Sequence, residues 1–124
     1  MQGKVFYNKL IRDGIPQRIT DKGESYDVRT IEDNSEFQQE LLKKVREEAD
    51  ALSRVRSRGE FLGEYADLMV VLDALTDVLE FSEADIKTAL EENRKEKGGF
   101  KERLFLNWSS DKGYKSNETP QGLK

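Results

Sequence analysis

The stretch GEFLGEYADLMVVLDAL, residues 59–75, constrains the fold more than any other part of the chain. Most of it has the makeup of a buried helix, predicted here over about 59–80. One stripe runs Phe61, Tyr65, Leu68, Leu72, Leu75 and Leu79 at helical spacing. An adjoining stripe runs Glu60, Glu64, Asp67, Val71, Ala74 and Val78, acidic in its first half and apolar in its second. Residues three and four apart share a helix face, so the three acids line up. A helix apolar on more than one side belongs at the centre of a fold. Asp73 and Asp77 lie on the far side and read as solvent-facing.

The preceding segment repeats the pattern. Asn34-Ser35 opens a helix, and Ser35 with Gln38 has the spacing of a capping box. The helix is predicted to run to about Ser57, where Ser-Arg-Gly breaks it. Its apolar seam is Phe37, Leu41, Val45, Leu52 and Val55, and Glu48 fills the skipped position. The steps of three, four and three are those of a packed helix pair, so Glu48 points inward with its neighbours. A short loop near Arg58-Gly59 makes the two helices antiparallel neighbours. At about 1.5 Å per residue, Glu48 and the pair Glu64 and Asp67 then fall within one or two turns of each other in height. Two carboxylates about 5 Å apart repel by roughly 3 kcal/mol at an effective dielectric near 20. A divalent cation would offset that repulsion. Glu47, Asp50 and Glu60 read equally as ligands or as ordinary solvated charges.

The rest of the chain reads as follows. Residues 3–8, 26–31 and 103–108 have the patterning of short strands. Residues 9–22 hold an irregular start and a short helix, with Pro16 suited only to a first turn. Ser82 with Asp85 opens a third main helix, which runs to about Lys97 and ends at Gly98-Gly99. From Ser109 to residue 124 the chain is polar with Gly, Pro and Asn, as in a flexible tail.

Composition prunes the chemistry. The 124 residues suit one domain, read over 1–108. With no His and no Cys, Cys/His zinc sites, Ser-His-Asp triads and thiolate nucleophiles are excluded. Clustered carboxylates are hard oxygen ligands that suit Mg²⁺, Mn²⁺ or Ca²⁺. A net charge of −4 argues against a nucleic-acid surface. No apolar run is long enough to span a membrane, and the start MQGKVFYNKLIRD lacks a secretory signal's apolar core. The cytoplasm is the expected location. Charged residues are 37% and hydrophobic residues 35%, little apolar material for a large monomeric core. A homodimer is expected.

An acidic pair in one helix, followed by Glu-x-x-Asp in an apolar next helix, resembles the all-α nucleoside triphosphate pyrophosphohydrolases, the MazG-like and phosphoribosyl-ATP pyrophosphohydrolase-like proteins. YNKLIRDGIP at 7–16 is similar to the N-terminal signature of one branch, written YNKLVRDKIP. KEKGGFKERLFL at 95–106 is similar to that branch's KRGGF segment. The similarity spans about residues 4 to 106. In two places the chain departs from the pattern: Ala51 stands where the first motif's second Glu would fall, and Lys97 stands where Arg is usual.

The resemblance implies an all-α antiparallel bundle completed by dimerisation, with short extended segments at the N-terminus and near 103–108. It implies Mg²⁺, with Mn²⁺ as a substitute, held by Glu48, Glu64 and Asp67, with Glu47 or Asp50 nearby. The reaction it implies is attack of water on the α-phosphorus of a nucleotide, giving a nucleoside monophosphate and pyrophosphate. Lys9, Arg12, Asn93, Arg94 and Lys97 are the candidate phosphate contacts, each also readable as ordinary surface charge. Two other functions fit the same residues. One is the phosphoribosyl-ATP pyrophosphohydrolase of histidine biosynthesis. The other is a non-catalytic helical interaction module that has lost a ligand at Ala51.

Overall fold

The computed structural model describes residues 3–113. Four helices follow in order: α1 Ile15–Asp21, α2 Asn34–Ser53, α3 Arg58–Val78 and α4 Glu83–Lys97. There is no strand among the described residues. The strands predicted over 3–8, 26–31 and 103–108 do not form. A strand needs a neighbour to take its backbone hydrogen bonds, and alternating side chains alone do not supply one. The polar tail predicted from Ser109 lies outside the described residues from position 114 onward. Before that, Asp111 makes a local turn: its N–H donates to Ser109 Oγ at 2.9 Å, and its Oδ1 accepts from the Gly113 N–H at 2.8 Å.

The helix ends follow local hydrogen bonding. At α2 the cap is Asp33, not the predicted Ser35: the Asp33 carboxylate accepts from the Glu36 N–H at 3.0 Å. An ionised side chain here also complements the positive end of the helix dipole. Glu36 is held in turn by the Arg29 guanidinium, which bonds both its oxygens and keeps its carboxyl below the usual range. α2 stops at Ser53, four residues short of the predicted end. The reason lies in the start of α3. Ser57 Oγ accepts from the Glu60 N–H at 3.1 Å, and the Glu60 carboxylate reaches back to the Arg56 N–H at 2.8 Å. Two otherwise orphaned donors are thus satisfied, α3 begins at Arg58, and residues 54–57 become the link. α4 opens on the predicted box: the Ser82 N–H donates to Asp85 Oδ2 at 2.9 Å, and the Asp85 N–H to Ser82 Oγ at 3.1 Å. Gly98, past its end, takes φ +78°, a conformation open to glycine at little cost.

The chain divides after Lys87 into two compact units. In the first, α2 packs on α3. Leu41 of α2 and Val71 and Leu75 of α3 are the buried core, and Leu10, Phe37, Val45, Leu72, Ala74 and Val78 pack against it. All but Leu10 are members of the predicted seam or of the two predicted α3 stripes. Asp73 and Asp77 are exposed, as their position on the far side requires. Among the described residues, no helix is long and apolar enough to cross a membrane.

Candidate metal centre

The α2–α3 hairpin places three acids together. Glu48 sits five residues before the end of α2, and Glu64 and Asp67 sit in the first half of α3. One carboxylate oxygen from each lies within 4.8 Å of the other two. All three side chains are half-buried. Burial pushes the Glu48 carboxyl above its usual range, and the nearby charges of Asp67, Glu47 and Glu64 push it the same way against the pull of Lys44. Among the described residues, Glu48 and Glu64 form no ion pair.

Glu60, the first acid of the α3 stripe, is spent on capping the helix and is exposed. Glu47 and Asp50 fall outside the group of three. Glu47 is bonded by Lys9 Nζ at 3.0 Å and approached by Lys44 Nζ at 3.4 Å. The Lys9 bond, with the Lys44 charge behind it, keeps the Glu47 carboxyl below its usual range against the effect of burial. Asp50 pairs with Arg54, the residue that caps the end of α2, at 2.8 Å. Ala51 is half-buried and offers no ligand atom.

The segment before α1 carries the remaining charges of the site. Leu10 packs against the core and fixes this segment beside the hairpin. Lys9 then reaches Glu47 on α2, and Arg12 Nη1 donates to Asp67 Oδ1 on α3 at 3.2 Å. These two pairs are invisible from the helices alone, because Lys9 and Arg12 arrive from 38 and 55 residues away in sequence. The available signal was the cationic pair Lys9 and Arg12 on either side of Leu10, which anchors the segment to the core. Asn93, Arg94 and Lys97 lie on α4 beyond Lys87, in the second unit, and all are exposed.

The donor set fits a hard divalent cation. Oxygens bound to one octahedral Mg²⁺ at about 2.1 Å stand roughly 3 to 4.2 Å apart. The three carboxylate oxygens, within 4.8 Å of one another, lie close to that spacing. The set is oxygen-only and anionic, which suits a hard cation such as Mg²⁺, Mn²⁺ or Ca²⁺ and not a soft metal. In comparisons with known proteins, no family model, no curated protein and no solved structure matches this chain.

Proposed function

We propose that this chain is a divalent-cation-dependent nucleotide pyrophosphohydrolase that cleaves between the α- and β-phosphates. The observation that carries the reading is the convergence of Glu48, Glu64 and Asp67 from two helices, with Lys9 and Arg12 held alongside. A bound Mg²⁺ or Mn²⁺ would supply positive charge against the triphosphate oxygens and help generate the attacking hydroxide. The chain's own part is positioning. Glu48 and the Glu64-Asp67 pair fix the anionic cradle from two rigid helices. Lys9 and Arg12 offer donors to phosphate oxygens from the facing segment. Glu48 is the cradle's contribution from α2, and a bound cation would offset the burial and neighbouring acids that raise its carboxyl in the metal-free protein. Asn93, Arg94 and Lys97 are proposed phosphate contacts on the resemblance alone.

The active assembly is proposed to be a homodimer. Leu62, Tyr65 and Met69 form a stripe on α3 at steps of three and four, and all three are exposed, Leu62 to 68%. Phe61 stacks on Tyr65 with ring centroids 5.8 Å apart, widening that apolar strip. A second copy covering this face would complete a bundle around α3.

The test is pyrophosphate release, screened over canonical and modified nucleoside triphosphates and phosphoribosyl-ATP with Mg²⁺ or Mn²⁺. Turnover that requires the cation supports the reading, and selective turnover of phosphoribosyl-ATP identifies the histidine-pathway enzyme. Ala51, which leaves the first acidic motif one carboxylate short, favours a second reading, a non-catalytic helical interaction module. Absence of turnover with every substrate would favour that alternative over the enzyme.

A further inference from the structure

We infer that Arg12 is the resident counter-charge of the acid trio, competing with the cation for Asp67 and released toward the substrate's phosphates when the cation binds. This rests on the divalent-cation reading of the trio and adds a role that the cradle alone does not require. Arg12 is the basic residue whose side chain pairs with a member of the trio among the described residues. The contact is a single bond, Nη1 to Oδ1 at 3.2 Å, not the two-pronged pairing a guanidinium makes when fully engaged. The Arg12 side chain is 57% exposed and that of Asp67 44% exposed, so the bond breaks without uncovering a buried charge.

A guanidinium on Asp67 and a divalent cation among the same oxygens repel each other, since both carry positive charge and stand a few ångströms apart. Cation loading therefore weakens the Arg12 bond, and by reciprocity the Arg12 bond weakens cation binding. Leu10 stays packed on the core and keeps the freed guanidinium close. Its planar fork suits a phosphate oxygen pair, so the charge displaced from Asp67 remains at the mouth of the cradle. Lys9 differs, because its partner Glu47 lies outside the trio.

The experiment is a Mn²⁺ titration of the full chain by calorimetry, without nucleotide, for wild type, Arg12→Gln and Lys9→Gln. Matched thermal melts check that all three are folded. Removing a competitor of this exposed kind should tighten Mn²⁺ binding roughly two- to five-fold in Arg12→Gln. Lys9→Gln should gain less than Arg12→Gln. Equal or weaker binding by Arg12→Gln overturns the competition while leaving the cation reading intact. An equal gain in Lys9→Gln also overturns it, because the effect would then be general charge and not displacement. If wild type takes up no Mn²⁺ at millimolar concentration, the cation reading falls and the competition with it.

Discussion

Neutralising Glu48 and neutralising Asp67 are expected to affect the metal-free protein differently. Glu48 is half-buried, without an ion-pair partner among the described residues, and surrounded by acids. Its folded carboxyl holds a proton to higher pH than the unfolded one. Between the ordinary carboxylate range and that raised value the folded state binds more protons, so its contribution to stability falls as pH rises. Glu48→Gln should therefore raise metal-free stability at neutral pH by a few tenths to about 1 kcal/mol, the scale of a partly screened charge contact. The gain should vanish on acidification below the ordinary carboxylate range, where Glu48 is protonated in both states. Denaturant melts from pH 3 to 8 check this. A gain that persists at pH 3 would show a packing effect and not a charge effect. Asp67→Asn loses the Arg12 bond as it sheds repulsion, so its metal-free stability should stay within about 0.5 kcal/mol of wild type. Its cation-dependent hydrolysis, in contrast, should fall at least about 100-fold, near 3 kcal/mol of transition-state stabilisation. If Asp67→Asn hydrolyses at the wild-type rate, Asp67 is only Arg12's structural partner.

At the scale of the element, the end of α3 contains a strained residue that is open to improvement. The Glu80 N–H donates to the Asp77 carbonyl at 3.0 Å and the Phe81 N–H to the Thr76 carbonyl at 2.9 Å. That pair of bonds is the Schellman arrangement, which places Glu80 in the left-handed region at φ +62°. Glycine adopts this conformation with no Cβ penalty. Glu80→Gly is therefore expected to stabilise the protein by about 0.5–1 kcal/mol, measured as a higher denaturant midpoint at unchanged slope. An unchanged or lower midpoint would mean that the α3 terminus does not carry this strain in solution. Element boundaries were the least legible part of the sequence. Ser35-Gln38 and Ser82-Asp85 have the same spacing, yet only the second forms, because Asp33 lies two residues before Ser35 and takes the capping bond first.

For the whole molecule, the question is what covers α3. Leu41, Val71 and Leu75 are the buried hydrophobic residues among those described, while Phe61, Leu62, Tyr65 and Met69 stay exposed on α3, which packs on α2. Burial of apolar surface is the main favourable term in folding and in association alike. Light scattering is expected to give twice the 14.3 kDa chain mass at micromolar concentration. The buried interface should exceed about 1,000 Å² in total. Leu62→Glu with Tyr65→Glu should shift the protein to monomer, because it places charge in the proposed contact. A wild-type monomer under these conditions would sink the dimer, and with it the expectation that a second copy completes the bundle.

The sequence by itself determined the main helices, roughly where the α2–α3 hairpin lies, and that Glu48, Glu64 and Asp67 come together on it. These follow from spacing along one helix and from a short link, both local properties. It also determined the exclusion of thiol and imidazole chemistry, since those side chains are absent. Only the tertiary structure decided which acids already have partners. Glu60 is turned to capping, Glu47 is claimed by Lys9 and Lys44, and Asp67 meets Arg12 from 55 residues away. It also left residues 3–8 and 103–108 without the strand pairing their patterning suggests. The reason is common to all of these. Helix periodicity is written in neighbours three and four apart, but ion pairs and strand pairs depend on which distant segment arrives, and that is set by packing.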